Sequence, residues 1–500
     1  MPAVSTRGNT ETDLRPFALH PVMTIATVVA TGLVVLSGRY GFHRDELYFL
    51  LAGRHAAWGY VDQPPLTPLI ARFSADALGE NPTALRTVPA LLTAATVALT
   101  ALIARECGAG RGGQILAAAC CACSGYVLAV GHLLSTSTFD LTVELAVVLV
   151  VLRLLRTRDS RWWPALGAAV GIALLNKQLV LALLLALLVV LLAAGPRDLA
   201  RRLPPDPRLP LVAVALALLI AAPTLWWQAA HGWPELRVAH LISAGSGLTG
   251  RLLFLPQQAL QFSPFLIPVA VLGARRILRD DTLGWARPVL FAHPVLCLLV
   301  LVGGGKPYYP LPLLLAITAA GCEDLARRAR HRRGRTLVLA AALSTLAALP
   351  LLPASAASVT RNLDPDQGEQ VGWPELARAT ASGWDAVPAD QRSRAVLLTA
   401  NYGEAGALAH YGPALGLPTP YSGHMSLADW GPPPPGTDGP VLLVHPAGRS
   451  HLERSFTGCR TLARVDNGQG VDNHEQGAEV VLCDGPHQPW PELWPQLRRY

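Results

Sequence analysis

The sequence predicts an α-helical polytopic membrane protein with a smaller soluble α/β domain at its C-terminal end. Hydrophobic residues make up 51% of the 500 residues and charged residues only 15%, and the mean hydropathy is +0.34. A soluble chain of this length would carry more charge. The apolar residues also cluster in runs of roughly 18 to 22 residues, which can cross about 30 Å of hydrocarbon as helices.

Eleven apolar runs are candidates for membrane-spanning helices, so we expect about 11 transmembrane helices. The runs cover residues 17–38, 84–104, 113–134, 137–155, 162–176, 178–194, 209–229, 256–275, 287–304, 308–326 and 336–354. Only Asn176, Lys177 and Gln178 separate the fifth run from the sixth. The first run is too long, and too poor in small residues at its end, for a cleaved signal, so we expect a retained helix.

Basic residues predict the orientation, because they concentrate in short cytoplasmic loops of membrane proteins. With residues 1–16 as a cytoplasmic tail, the inner loops hold more than twice as many basic residues as the outer loops. This predicts a multi-pass plasma-membrane protein, with a transmembrane domain over 17–355 and an extracytoplasmic domain over 356–500. The arginines flank apolar spans and form no single surface, so the net charge of +7 does not indicate nucleic-acid binding.

Two outer segments interrupt the apolar pattern, and the first is the loop over residues 39–83. Its beginning predicts a short amphipathic helix, since leucines at helical spacing share one face and acidic residues fall in the first turn. Pro64 and Pro65 interrupt regular structure. Residues 66–78 are then expected to form a second helix at the membrane surface.

The second outer segment is the C-terminal domain, where short β-prone runs alternate with helical stretches and loops. The predicted strands are 395–400, 441–445 and 479–483, and the proline-rich stretch 431–436 is predicted to be a loop. The pattern favours a small α/β domain. Cys459 and Cys483 are its only cysteines, and an oxidising compartment would allow them to form a disulfide.

Adjacent carboxylates stand out in the first outer loop. Asp45 and Glu46 follow His43 and Arg44 directly. A transferase that moves a sugar from a lipid phosphate needs a base for the acceptor and cations for the phosphate leaving group. The alternative is that the acidic residues only cap a surface helix at its positive end, and the spacing leaves both hypotheses open.

Lys177 and Lys306 are the only lysines of the chain, and the predicted topology puts both at outer helix ends. Lysine is a compact charge that suits phosphate, although snorkelling to lipid headgroups is an equal alternative for an isolated lysine. Lys306 follows three glycines and precedes Tyr308 and Tyr309. Irregular backbone at membrane depth is tolerated mainly where it lines a cavity, which favours a binding role for Lys306.

Asp140 lies near the outer end of the fourth predicted helix, and Glu144 lies one turn deeper on the same face. A carboxylate inside a membrane helix is costly and is a functional candidate by default. The alternatives are helix capping for Asp140 and an internal hydrogen bond for Glu144.

Several short segments of the sequence together resemble a known family. Residues 44–48, 62–66, 85–90 and 306–313, together with Asp140, resemble motifs of the family 39 glycosyltransferases, which include bacterial relatives of protein O-mannosyltransferases and the lipid A aminoarabinose transferase. Residues 401–405 and 411–413 resemble the C-terminal region of actinobacterial members. The resemblance is specific in the first loop and looser in the middle of the chain.

The resemblance implies a GT-C fold, a polyprenyl-phosphate sugar donor, membrane lipids as surroundings and an extracytoplasmic glycan, lipid or protein as acceptor, with inversion at the anomeric carbon. By position Asp45 is the expected base, with Glu46 adjacent. The implied donor-binding residues are Lys306, Tyr308, Tyr309, Lys177, Arg44 and His43, and Asp140, Asp62 and Gln63 are implied acceptor or second-carboxylate positions. Gln63 departs from many relatives, which have lysine there. No cofactor is predicted, and the absence of ligand spacing argues for a metal-independent enzyme while leaving a divalent metal open.

Two other classes of function fit the apolar helices. A transporter would use discontinuous helices or carboxylates near the middle of the bilayer, and a non-catalytic envelope scaffold would use the C-terminal domain as a binding module. The transferase hypothesis requires Asp45, Glu46 and Lys306 to meet at one hollow in the outer leaflet.

Overall fold

The computed structural model describes residues 14–204, 206–245, 247–328, 349–351, 353–356, 365–448 and 450–500. The chain forms two compact units. The first, called the helical unit, contains the described parts of residues 1–35, 86–232 and 239–349. The second, called the sheet unit, contains the described parts of residues 36–85, 233–238 and 350–500. The first polar loop of the sequence therefore packs in one unit with the C-terminal region.

Helices account for most of the described chain. In chain order they are α1 (Leu19–Leu36), α2 (Arg44–Arg54), α3 (Leu66–Leu78), α4 (Pro82–Glu106), α5 (Arg111–Ala122), α6 (Gly125–His132), α7 (Thr136–Thr157), α8 (Trp162–Leu174), α9 (Leu179–Ala193), α10 (Pro196–Arg202), α11 (Arg208–Ala230), α12 (Pro234–Gly245), α13 (Leu248–Leu252), α14 (Phe254–Phe262), α15 (Ile267–Arg279), α16 (Arg287–Val302), α17 (Leu311–Arg328), α18 (Trp373–Asp385), α19 (Tyr402–Tyr411) and α20 (Trp490–Leu497). The strands are β1 (Val396–Thr399), β2 (Pro420–Ser422), β3 (Val441–His445), β4 (Phe456–Thr457), β5 (Arg460–Arg464), β6 (Glu479–Cys483) and β7 (Gly485–Pro486).

Membrane-length helices are confirmed within the described residues. Helices α1, α4 and α11 are long and apolar enough to cross a membrane, as is the segment Asp281–Val302. The pair α5 and α6 passes the same test together but bends by 58° at its break. Helices α8 and α9 are apolar but shorter, because the chain breaks at Asn176 and Lys177 between them. The eleventh predicted run, 336–354, lies largely outside the described residues.

The predicted run 256–275 is broken into two helices. Helix α14 ends at Phe262, and Ser263 adopts a φ of 100° before Pro264 begins a short 3-10 turn that leads into α15. Pro264 lacks the N–H group that would continue the helix ladder. Apolar composition alone cannot reveal such a break, because hydropathy does not record a change of backbone direction.

Small residues let helices of the helical unit approach closely. Gly273 on α15 and Gly321 on α17 meet the backbone of the partner helix, so neither has room for a side chain. Gly167 on α8 lies against Ala213 on α11 in the same way. In lipid, where apolar side chains gain little from meeting one another, such close packing is a main source of helix association.

The sheet unit contains a five-stranded mixed sheet with the strand order β2-β1-β3-β6-β5. Strand β1 is parallel to β2 and to β3, whereas β6 is antiparallel to β3 and to β5. Strands β3 and β6 have the bounds that the sequence predicts, and β1 is one residue shorter at each end. The short strands β2, β4, β5 and β7 were not predicted, because few apolar residues mark them.

Helices cover both faces of this sheet, which confirms the α/β prediction. Alternate side chains of the central strands point to opposite faces. On one face Gly383 of α18 approaches Leu442 and Val480. On the other face Trp490 and Trp494 of α20 join the cluster that holds the alternate strand residues. A disulfide joins Cys459 to Cys483 at the end of β6.

Helix α2 packs directly against α19, and a glycine makes the approach possible. A Cβ atom at Gly406 would lie 2.8 Å from the carbonyl carbon of Leu47. Leu47 is itself only 1% exposed. The backbone of α2 therefore occupies the space that any larger residue at position 406 would need.

We expect Gly406→Ala to lower the thermal unfolding midpoint of the detergent-purified protein by several degrees, because overpacking costs about 1 to 3 kcal/mol. Gly32→Ala in α1 is the matched control, since a Cβ there meets nothing within 4 Å. Equal midpoints for the two variants would contradict the close contact between α2 and α19.

Candidate active site

The first turn of α2 assigns different contacts to the two neighbouring acids. His43 is the N-cap, and its Nδ1 accepts a hydrogen bond from the backbone N–H of Asp45. Glu46 is fully buried, and its Oε2 accepts from the backbone N–H of His43 at 2.8 Å. This reciprocal pair is a capping box. Glu46 thus makes the contact expected from the capping alternative, and Asp45 remains available for other contacts.

Asp45 accepts a hydrogen bond from a tyrosine that is distant in the sequence. Its side chain is 37% exposed, and its Oδ1 accepts a hydrogen bond of 2.8 Å from the hydroxyl of Tyr402 at the start of α19. The Tyr402 ring stacks on His424 at 5.1 Å, and the guanidinium carbon of Arg44 lies 4.8 Å from the ring centre. Burial raises the pKa of Tyr402 well above its ordinary value, so the hydroxyl stays protonated and donates.

A second tyrosine and carboxylate lie beside the first pair. Tyr48 of α2 donates from its hydroxyl to Oδ1 of Asp62 at 2.7 Å, and its ring centre is 4.8 Å from that of Tyr402. Burial raises the pKa of Asp62 to about 6, with a smaller rise from the charge of Asp45, and the hydrogen bond from Tyr48 opposes the rise. Asp45 and Asp62 are therefore each hydrogen-bonded to one of two adjacent tyrosines, and their environments differ. Different environments give two carboxyl groups different pKa values, and such a difference allows one to act as an acid and the other as a base.

The topology of the sheet explains why Tyr402 and His424 meet. Parallel strands β1 and β2 end at the same edge of the sheet, and the residues just after them project from that edge. Tyr402 follows β1 and His424 follows β2, and the backbone N–H of Tyr402 donates to Nδ1 of His424 at 3.2 Å. Sequence reasoning missed both residues. The spacing of Asn401 and Glu404, a capping-box pattern, was the available signal for a helix start here.

The other predicted residues of the first loop have the following places. Arg44 lies 3.9 Å from a carboxylate oxygen of Glu369, so part of its charge is balanced inside the sheet unit. Gln63 is buried, with 4% of its surface exposed, and its Nε2 has no hydrogen-bond partner among the described residues. A buried unpaired amide N–H is costly, so Gln63 is a donor that a ligand could satisfy.

The helical unit contains a second cluster of predicted residues. Asp140 is buried on α7, and its Oδ1 accepts from Nδ2 of Asn176 at 2.7 Å. Its Oδ2 lies 3.7 Å from Nζ of Lys177. The break between α8 and α9 thus supplies both an amide and an ammonium group to one membrane carboxylate. This pairing is the usual arrangement for a charged group at that depth.

Aromatic rings extend the same cluster. Nζ of Lys177 lies 4.9 Å from the ring centre of Tyr309, within the range of a cation–π contact. Tyr308 contacts Tyr309 edge-on at 5.0 Å and stacks on Tyr126 at 5.1 Å. Sequence reasoning named Tyr308, Tyr309 and Lys177 but missed Tyr126 and Asn176. Tyr126 lies in an apolar stretch, and Asn176 was noted only as part of the break between two apolar runs, so neither pattern indicated a partner.

Lys306 and Glu144 differ in exposure. Lys306 is exposed, and no ion pair of its side chain occurs with any residue in the described ranges. Glu144 is only 1% exposed, and its Oε1 finds no hydrogen-bond donor in the part of the chain that the structure describes. The structure thus groups Asp140, Lys177 and Tyr309 in the helical unit and groups Asp45 and Asp62 in the sheet unit.

Comparison with known proteins relates this chain to membrane glycosyltransferases by part of its sequence and by its fold. Residues 62–227 match the family model described as dolichyl-phosphate-mannose-protein mannosyltransferase. ArnT from Cupriavidus metallidurans in the apo state is similar over 92% of this chain and 97% of its own, with a TM-score of 0.59 and 15% identity. These similarities show that the chain has a GT-C fold, and that residues 62–227 resemble the protein mannosyltransferase family.

Further structures support the GT-C fold of this chain. ArnT bound to undecaprenyl phosphate gives a TM-score of 0.58 at 15% identity over 92% of this chain and 97% of ArnT. The arabinofuranosyltransferase AftD from Mycobacteria gives 0.53 at 15% identity over 94% of this chain and 40% of AftD. No curated protein sequence matches this chain significantly. The comparisons therefore favour the transferase hypothesis, and they lend no support to a transporter or a scaffold.

We expect Asp62→Asn to change the pH dependence of stability. The pKa of Asp62 is about 6 in the folded protein against an ordinary 3.8, so its favourable contribution is present below about pH 4 and is lost as the pH rises through 6. Relative to Asp62→Asn, the wild type should lose about 1 to 3 kcal/mol of unfolding free energy over this range.

Denaturant unfolding at pH 4, 5, 6 and 7 measures this difference. Asp76→Asn is the control, because Asp76 is 59% exposed and pairs only with Arg72 one turn away. Identical pH profiles for the wild type and Asp62→Asn would contradict the burial of this carboxyl.

Proposed function

We propose that this glycosyltransferase moves a sugar from a polyprenyl phosphate to an extracytoplasmic glycan, lipid or protein acceptor, with inversion at the anomeric carbon. The observation that carries the proposal is the arrangement at Asp45, an accessible carboxylate with one oxygen held by Tyr402. The other oxygen accepts no hydrogen bond from the described residues. A carboxylate that is fixed on one side and open on the other is suited to accept a proton from a substrate hydroxyl.

The donor class follows from the relatives and from the cations. ArnT, which resembles this chain over nearly its whole length, has been solved with undecaprenyl phosphate. We assign Lys306, which is exposed and without an ion pair among the described residues, to the donor phosphate. Lys177 is partly neutralised by Asp140, so we assign it to orienting Tyr309 and the sugar-bearing end of the donor.

The reaction would proceed as a single displacement. Asp45 takes the proton of the acceptor hydroxyl while the acceptor oxygen attacks the anomeric carbon. The bond between that carbon and the phosphate oxygen breaks, and the polyprenyl phosphate leaves with the electron pair. Cations lower the barrier because they stabilise the charge that develops on the leaving phosphate.

The remaining predicted residues support this chemistry indirectly. Arg44 lies over the Tyr402 ring and within 3.9 Å of Glu369, so we assign it to positioning Tyr402. His43 and Glu46 fix the first turn of α2, which sets the direction of Asp45. Asp62 and Gln63 are assigned to the acceptor, since one is a carboxylate beside Tyr48 and the other offers an unpaired amide.

The cysteines support an extracytoplasmic sheet unit. Cys459 and Cys483 are disulfide-bonded, whereas the other six cysteines are free. Disulfides form and persist in oxidising compartments and are rare in the cytosol. The arginine-rich inner loops of the sequence give the same orientation, with the C-terminal domain outside the plasma membrane.

We expect Asp45→Asn to lower kcat by about 10²- to 10⁴-fold, the usual contribution of a general base. The asparagine keeps an oxygen for Tyr402 but cannot accept a proton at neutral pH. The assay measures sugar release from polyprenyl-phosphate mannose, arabinose and aminoarabinose by the purified protein in detergent. Asp76→Asn, the same substitution at an exposed position of the sheet unit, should keep wild-type kcat; unchanged turnover in Asp45→Asn would remove Asp45 from the mechanism.

We expect Lys306→Gln to raise the KM for the donor by about 10- to 100-fold, which corresponds to the roughly 1.5 to 3 kcal/mol of a hydrogen bond to a charged group. Lys306→Arg should recover most of the affinity, since the charge is retained. Titration of initial rates against donor concentration provides the measurement. A donor KM that is the same in wild type and Lys306→Gln would show that Lys306 does not contact the phosphate.

A further inference from the structure

Three side chains of the sheet unit that play no part in the proposed transfer converge at one end of β3. His445 is the last residue of β3, and Glu479, the first residue of β6, is its direct partner in the antiparallel register. Glu453 reaches the same point from the 3-10 turn Ser450–Ser455. His445 is fully buried, and the side chains of Glu453 and Glu479 are 26% and 16% exposed.

The spacing of their polar atoms fits a metal ion. Nε2 of His445 lies 3.2 Å from Oε1 of Glu453 and 3.9 Å from Oε2 of Glu479, and one ligand atom from each of the three residues lies within 4.8 Å of the others. Zinc binds nitrogen and carboxylate oxygen at about 2.0 to 2.2 Å in tetrahedral geometry. Those bond lengths place neighbouring ligand atoms about 3.3 to 3.5 Å apart, so a small adjustment of Glu479 suffices.

The hydrogen bonding of the histidine gives a second, independent reason. Nδ1 of His445 lies 2.9 Å from the carbonyl oxygen of Pro446, and because a carbonyl can only accept, Nδ1 must carry the proton. In the neutral ring Nε2 then carries a lone pair and can only accept a hydrogen bond. It faces two carboxylates, which when ionised also only accept. A donor or a cation is required between them, which is a proton on Nε2, a proton on a glutamate or a metal ion.

The surroundings are those that support metal ligands. A metal-bound histidine almost always donates its other N–H to a carbonyl or carboxylate, and ligating carboxylates are themselves hydrogen-bonded. His445 donates to Pro446, and the second oxygen of Glu479 lies 2.9 Å from a guanidinium nitrogen of Arg464. The partial exposure of the two glutamates leaves an entry path for an ion from solvent.

We infer that His445, Glu453 and Glu479 form a binding site for a divalent transition-metal ion of the zinc class. An imidazole with two carboxylates suits zinc, and water would complete the fourth position. The ion would fasten the turn around Glu453 to the central strands of the sheet. The inference stands apart from the proposed sugar transfer, because its readout is bound metal and not turnover.

The test is a metal titration of the full-length detergent-purified protein after treatment with a chelator. We expect one equivalent of Zn²⁺ to bind per chain, and a rise of several degrees in the thermal midpoint of the sheet unit. Co²⁺ should give the visible absorption of a nitrogen and oxygen site without the charge-transfer band of cysteine thiolates.

Variants locate the ion. Glu453→Gln and Glu479→Gln should abolish stoichiometric binding, and Arg464→Gln, which removes only the support of Glu479, should weaken the affinity by about 10- to 100-fold. Glu492→Gln is the matched control, because Glu492 is exposed on α20 and should bind as the wild type does.

Absence of a bound equivalent in the wild type would overturn the inference. Wild-type affinity in both Glu453→Gln and Glu479→Gln would overturn it as well, because the ion would then lie elsewhere. If either variant failed to fold, the wild-type stoichiometry and the Co²⁺ spectrum would still decide between these outcomes.

Discussion

The hydrogen bond between Tyr402 and Asp45 is the constraint on which the proposed chemistry depends. It joins the first polar loop of the sequence to a helix that begins more than 350 residues later. The bond requires α2 and α19 to approach closely, and Gly406 provides the space for that approach. It also requires a protonated tyrosine, which burial ensures by raising the pKa of Tyr402. The contact between α2 and α19 within the sheet unit therefore determines both the protonation of Tyr402 and the direction of the Asp45 carboxylate.

In the helical unit, polar and charged partners stabilise a buried carboxylate on an apolar helix. Asp140 is balanced by an amide from Asn176 and an ammonium from Lys177, and the ammonium also rests on the Tyr309 ring. A carboxylate that had lost such partners would cost several kcal/mol in hydrocarbon. Both partners come from the irregular break between α8 and α9. The interruption thus supplies polar partners that a continuous apolar span would lack.

Much of the fold could be predicted from the sequence, because periodicity and apolar length are local properties. The bounds of α3, β3 and β6 agree with the predicted ranges. The break at Ser263 was missed, since hydropathy does not register a change of backbone direction. The short edge strands were missed because a strand such as β5 is mostly exposed and lacks the alternation that marks a buried face.

The candidate site was predictable only in part, and distance along the chain explains the difference. Asp45, Asp62 and Lys306 carry charges that are visible in any sequence, but the division of labour between Asp45 and Glu46 depends on which one caps the helix. Tyr402 can contact Asp45 only because the fold brings the end of β1 close to α2, and the sequence does not show that proximity. The cluster around His445 is hidden for the same reason, because its ligands are spread over two strands and a turn with no short spacing motif.

The stereochemistry of the product tests the central claim most directly, namely that Asp45 activates the acceptor for a single displacement on a polyprenyl-phosphate sugar. NMR spectroscopy would compare the anomeric configuration of the donor with that of the first product formed by the wild-type protein. The account predicts that the configuration is inverted. Retention of configuration would contradict it, because two successive displacements through a covalent sugar intermediate would then be required.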